Sequence, residues 1–397
     1  MSKIISHIVL SIIWFPPIWP FLPQNIILIL SVAVLNLKRL RYSFTQSDNV
    51  LNISFCSYTI LSFTVFIIHI YQYGFKNFQA ELYITIVNSV ISILAYYYVL
   101  SIRNKKDLRI LSFLTSVFCL AVSFFAIVNQ VGFELNSFDR EERIFLPLIS
   151  NSIAPTTFSI VVLLGYYIHF LFSSYYSRLY FWSTSLVYLF IIYLLATRFS
   201  LAGGLLILIA SLRPLLRSYY PILLACLTLP IYLIFNSIRL NERLLHRISN
   251  LSSFESILLD ESLIIRFILW KEALVTIGKN LFGIGYLTFV ENHGARTPSG
   301  LWKGFNTHNE LLLQAIANGW IVIIIILVIT FKIVQIINRQ NRTYLLALIG
   351  SVFVPSMFDT FSNNPGSINH MPMIFLSIAL TLNKIENDKE LNQLNTF

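Results

Sequence analysis

Charge is the scarce ingredient of this chain. Asp, Glu, Lys and Arg make up 12% of its 397 residues, where soluble domains carry about 25%. So little charge excludes a globule coated in polar surface, and lipid must serve as part of the solvent. Cysteine is scarce too. Cys56, Cys119 and Cys226 all fall inside apolar runs, with neither zinc spacing nor a disulfide framework. No cleavable leader is expected, because Pro16, Pro17 and Pro20 break the first apolar run and no small-residue cleavage site follows. Alternating strands of about ten residues, the mark of an outer-membrane barrel, are missing as well. Ionisable groups inside the apolar runs are few: His69, His169, and Glu81 and Asp359 at the edges. That argues against a proton relay or a sodium site.

What the chain has is apolar length. It is 56% hydrophobic with a mean hydropathy of +0.72. The runs predict an all-α, polytopic transmembrane helical bundle of about twelve spans. Their approximate limits are 4–20, 24–37, 50–72, 81–102, 108–128, 148–172, 179–197, 200–213, 219–236, 309–331, 343–358 and 371–383. The chain then divides into helices over 1–236, one large outward loop with amphipathic helices over 237–308, three more helices over 309–383, and a polar tail over 384–397.

The net charge of +10 would suggest nucleic acid in a soluble protein. Here the basic residues cluster at the ends of apolar runs, so no nucleic-acid partner is expected. One set of connections holds sixteen of them: Lys3, Lys38, Arg39, Arg41, Arg103, Lys105, Lys106, Arg109, Arg178, Arg213, Arg217, Lys332, Arg339, Arg342, Lys384 and Lys389. The opposite short connections hold Lys76, Arg140, Arg143 and Arg198. By the positive-inside rule both termini face the cytoplasm and the long loop faces outward. In a two-membrane bacterium that is the periplasmic side of the inner membrane.

Polar residues concentrate on that outer face. Arg198, in "LLATRFSLAGG", reads either as a snorkelling interfacial cation or as a guanidinium placed for a phosphate. Gly203 and Gly204 just after it allow close helix packing. In "SIRLNERLLHRISN", Arg239, Arg243 and Arg247 recur every four residues. They form either an amphipathic helix on anionic lipid or a basic strip that attracts an anionic substrate. In "DESLIIRFILWKEALVTIGKN", Arg266 and Trp270 share a helical face, and Arg266 stands among apolar neighbours that demand a partner or an anion. The following "FGIG" supplies a flexible turn. In "NTHNELLLQAIANGW", Thr307 or Asn309 can cap the next helix and Glu310 suits its positive end. Neither role explains His308. A neutral imidazole at that boundary is a competent general base.

These stretches resemble the O-antigen ligase and O-antigen polymerase superfamily of membrane glycosyltransferases. The resemblance rests on His308-Asn309 followed by nine residues and Gly319, on "TRFSLAGG" with Arg198, and on Arg266 upstream of "WKEAL" and "FGIG". It covers roughly 180–330, with Asn280 where many relatives carry proline. It implies a glycan donor on undecaprenyl pyrophosphate and a sugar hydroxyl as acceptor, on the lipid A core for a ligase or on another lipid-linked repeat for a polymerase. It also implies inverting, metal-independent transfer without a cofactor, with His308 as base and Arg198 and Arg266 on the pyrophosphate. No outward Asp-x-Asp metal motif is present. The ligase branch is the preferred expectation, with a polymerase as the alternative and a lipid-linked oligosaccharide flippase as the rival from another class.

Overall fold

The structure is a computed structural model. It describes residues 2–12, 36–74, 78–128, 146–147, 152–153, 155–195, 199–212, 261–286, 288–289, 294–296, 302–304, 307–358 and 370–394.

Helices α1 (Ser2–Ile12) and α2 (Leu37–Gln46) lead to α3 (Asn49–Tyr73). Asp48 starts α3 as its N-cap, its carboxylate accepting from Val50 N–H at 2.9 Å and Leu51 N–H at 3.3 Å. Gly74 ends the helix at φ 73°. The return crossing joins α4 (Phe78–Ile86) to α5 (Ser92–Leu100) through a π turn, Val87–Ile91. Then come α6 (Lys105–Val128), α7 (Pro155–Leu171), α8 (Arg178–Leu195) and α9 (Phe199–Leu212). After 213–260 lie α10 (Glu261–Lys279) and the long α11 (Glu310–Gln340). Next are α12 (Arg342–Leu348), a second π turn (Ile349–Phe353), α13 (Val354–Phe358) and α14 (Met371–Leu394). Two small antiparallel ladders interrupt the helices: β1 (Leu146–Pro147) with β2 (Ser152–Ile153), and β3 (Gly294–Arg296) with β4 (Trp302–Gly304).

Among the described residues, four helical stretches are long and apolar enough to cross a membrane: Asn49–Gln72, Phe78–Leu100, Lys105–Phe124 and Glu310–Gln340. The first three match expected runs within a few residues, the fourth starts where the run at 309–331 was expected and continues further, and shorter apolar helices fall on four others, including Phe158–Leu171 and Phe199–Leu212. The expected run at 219–236, and that at 24–37 up to residue 35, lie outside the described residues.

Helix α7 is buried all round, from Phe158 to Leu171, which makes it the axis of the bundle. It packs on α6, α8 and α14. Gly165 lets α6 and α8 close on it: a Cβ there would stand 2.9 Å from Cys119 Cβ and 3.0 Å from the Tyr188 hydroxyl. Gly203 of α9 meets Gly350 in the second π turn, where a Cβ would lie 2.3 Å from the Gly350 carbonyl oxygen. That is the close packing expected where Gly203 and Gly204 stand. On α3, Ile53, Ile60 and Ile67 recur every seven residues and are about two-thirds exposed, as a lipid-facing stripe should be.

The tail expected from 384 onward proves to be helix. α14 runs on to Leu394, with Asn383, Lys384 and Asn387 buried. Asn383 Nδ2 donates to the Val99 and Ile102 carbonyls at 2.8 Å each, satisfying the open end of α5. Lys384 pairs with Asp388 at 2.8 Å and lies over the Tyr175 ring.

Chain direction fixes two ends of the bundle. Asp48 pairs with Lys332, in the last third of α11, at 3.1 Å. The other end of α3 brings His69 against the segment after α10. The start of α11, with His308, therefore lies at the His69 end. The start of α6 lies at the opposite end.

Candidate functional site

Thr307, His308 and Asn309 form a constrained turn at the entrance to α11. His308 has φ 47° and is the one described non-glycine residue in the left-handed region, a conformation that costs a side-chain-bearing residue about 1–2 kcal/mol. Its neighbours hold it there. Asn309 is the N-cap, its Oδ1 accepting from Leu312 N–H at 3.1 Å, while its Nδ2 donates to the Met357 carbonyl at the end of α13. Thr307 is fully buried, and its hydroxyl donates to the Asn309 carbonyl at 2.8 Å. The cap expected of Thr307 or Asn309 is thus made by Asn309, with Thr307 bracing the turn. His308, between two buried residues, is itself partly exposed. Strain of this kind concentrates at functional sites.

Helix α10 packs on α11 and reaches the same turn. Trp270 Nε1 donates to the Thr307 carbonyl at 2.8 Å. Arg266 lies one helical turn, about 5.4 Å, from Trp270 on the same face. The indole thus ties α10, the helix that carries Arg266, to the turn that carries His308. Arg198, Arg239, Arg243 and Arg247 lie outside the described residues.

Ten residues into α11 the helix breaks. Gly319 has φ 80° and ψ 178°. The "LFGIG" segment fills the break edge-on. Ile284 N–H donates to the Ile316 carbonyl at 2.7 Å, Gly285 N–H to Ala317 at 3.3 Å, and Trp320 N–H to the Leu281 carbonyl at 3.3 Å. Backbone groups that an unbroken helix would pair internally are thus satisfied from the side, which is the condition for irregular backbone at membrane depth. Glycine is required at the contact. A Cβ on Gly319 would lie 2.1 Å from the Leu281 carbonyl oxygen, and one on Gly283 would lie 2.5 Å from the carbonyl oxygens of Ile316 and Ala317. The "FGIG" element, read from sequence as a flexible turn, is a fixed splint. Gly319 and "FGIG", noted as separate motifs, are two halves of one contact.

A polar network surrounds the splint, partly exposed at His69 and Glu81 and buried at Tyr286, Glu310, Gln314 and Asn318. His69 Nε2 donates to the Phe282 carbonyl at 3.2 Å, and a Glu81 oxygen accepts from Tyr286 N–H at 3.1 Å. The Tyr286 hydroxyl donates to Gln314 Oε1 at 3.1 Å and accepts from Asn318 Nδ2 at 2.8 Å. Gln314 Nε2 donates in turn to Glu310 Oε1 at 2.7 Å. Burial, first of all, pushes the Tyr286 phenol up to about 12; hydrogen bonds from Asn88 and Asn318 oppose the rise, and the Glu310 and Glu81 charges add to it. Glu310 is more than a first-turn acid suited to the helix dipole: it is buried and bonded.

Sequence reading missed this network, although part of its signal was present. Glu310, Gln314 and Asn318 are spaced by four and share a face. Glu81 and Tyr286 are 205 residues apart and have no local signature. From Glu310 and Gln314 an apolar cavity of about 230 Å³ runs along α11 past Phe55, Ile329 and Phe375. Among the described residues, no three His, Cys, Asp or Glu side chains gather into a group that could hold a metal.

Fold and site together define a helical membrane protein with a helix broken beside a polar network and an apolar cavity. Set against known proteins, the chain matches no family model and no curated relative.

Proposed function

We propose that the chain is a membrane glycosyltransferase that moves a glycan from undecaprenyl pyrophosphate to a sugar hydroxyl. The observation that carries this reading is the His308 turn: a strained, partly exposed imidazole braced by buried Thr307 and Asn309 and linked through Trp270 to the helix of Arg266. The acceptor oxygen attacks the anomeric carbon as the bond to the pyrophosphate oxygen breaks. His308 takes the hydroxyl proton. Arg266, with Arg198, neutralises the departing pyrophosphate through planar guanidinium forks. The apolar cavity beside Glu310 and Gln314 suits the isoprenoid chain of the carrier.

In this reading the bundle has about twelve spans in the bacterial inner membrane, and the 237–308 loop faces the periplasm. The acceptor is the lipid A core, which makes the protein an O-antigen ligase in lipopolysaccharide biosynthesis. Repeat-unit polymerisation is the alternative with the same site. A deletion strain tests it. Loss of a ligase leaves bare core and accumulated long lipid-linked chains, and loss of a polymerase leaves core capped by one repeat. An unchanged surface glycan would sink both.

A further inference from the structure

At the end of the bundle opposite His308, a cavity of about 520 Å³ opens between α6 and the segment that joins α7 to α8. Its rim carries Lys106 and Arg109 from α6, and Ser177 and Tyr180 from the start of α8. The cations are three residues apart and share a face, and both are exposed. Ser177 Oγ accepts from Tyr180 N–H at 3.3 Å, which leaves its own proton to donate. Among the described residues that line the cavity, none is a carboxylate.

Below the rim the wall turns apolar. Phe113 and Leu114 follow one turn further along α6, in the stretch Lys105–Phe124 that is long enough to cross a membrane. The back of the cavity is packed. Tyr176, another lining residue, stacks on the buried His169 ring of α7 with centroids 5.2 Å apart. A cationic, hydroxyl-rich rim above a hydrocarbon wall matches an amphiphile with an anionic head. Arginine with hydroxyl donors suits phosphate oxygens, and basic pockets at membrane-helix ends take phospholipid head groups.

We infer that this cavity binds the phosphate of an anionic phospholipid, with an acyl chain laid along Phe113 and Leu114. The site is separate from the His308 turn and does not depend on the reaction assigned there.

The test uses the purified full chain in neutral detergent, with the thermal midpoint followed against added phosphatidylglycerol, phosphatidylcholine or inorganic phosphate. Phosphatidylglycerol is expected to raise the midpoint saturably, and the other two are not. Lys106→Gln with Arg109→Gln should weaken the phosphatidylglycerol response on the order of 30-fold, the loss expected for two interfacial cations. Both side chains are exposed, so the fold survives. Arg103→Gln with Lys105→Gln, a basic pair at the same end of the bundle but outside the cavity lining, should weaken it clearly less. Equal weakening by both pairs would overturn the site in favour of general surface charge. An equal response to phosphatidylcholine would remove the anionic selectivity. A matching response to inorganic phosphate would make it a soluble-anion site and overturn the lipid assignment.

Discussion

Replacing His308 with glycine separates the chemistry of the site from its stability. At φ 47° the histidine holds about 1–2 kcal/mol of left-handed strain, which glycine releases. Glycine also enlarges the freedom of the unfolded chain, a cost of about 0.4–1 kcal/mol. The two nearly cancel. His308→Gly is expected to lie within about 1 kcal/mol of the parent in thermal unfolding, and to be at least as stable as His308→Ala, which keeps a Cβ in the strained region. The partly exposed ring leaves no core cavity behind when removed. Transfer should nevertheless fall by about 10²–10⁴-fold in both variants, the range for loss of a general base. Purified variants would be assayed side by side for unfolding and for transfer of a labelled lipid-linked glycan. Transfer by His308→Gly within a few-fold of the parent would refute the base. Destabilisation by more than about 3 kcal/mol would show that the ring holds the fold and outweighs any relief of backbone strain.

The break in α11 is equally exposed to test. Gly319→Ala places a Cβ 2.1 Å from the Leu281 carbonyl oxygen at a backbone conformation open only to glycine, and should cost about 3 kcal/mol or more; an unchanged unfolding midpoint would dismiss the splint. Asp48 is held below the ordinary carboxylate range: burial raises it, but Lys332 and the amides of Leu51 and Val50 outweigh that. Its contribution is therefore complete above about pH 4 and lost as pH falls through the lower folded value. Asp48→Ala should cost about 1–2 kcal/mol near neutrality and flatten the acid limb of the stability profile; an unaltered limb counts against the cap and ion pair. On the proposed mechanism, in which arginines take the place of a cation on the leaving pyrophosphate, transfer in washed membranes should survive EDTA; loss restored by magnesium or manganese contradicts that. A phosphatase reporter fused near Ser252 should be active and one at the C-terminus silent, and the reverse would invert the topology.

The long helices were legible because apolar run length is a one-dimensional property. The run at 50–72 became Asn49–Tyr73, and that at 108–128 became Lys105–Val128. Gly203 was legible for the same local reason, since a small residue at a helix start announces close packing, and Gly350 meets it. The break at Gly319 was not, because the apolar run continues straight through it; only the docked Leu281–Gly285 segment makes the broken form preferable. Nor was the extension of α14, whose polar residues are helical because Asn383 caps α5 and Lys384 pairs with Asp388. His308 stood out in sequence as a residue that capping does not need. What sequence could not supply was its left-handed backbone, or the Trp270 bond that joins its turn to the helix of Arg266.

The most direct measurement is transfer by the purified protein, reconstituted with an undecaprenyl-pyrophosphate-linked glycan and a lipid A core acceptor. Undecaprenyl pyrophosphate is expected to be released in step with glycosylated acceptor, and His308→Ala to abolish this while the donor still binds. Donor movement across the bilayer without any glycosidic bond being made, or full transfer by His308→Ala, would contradict it.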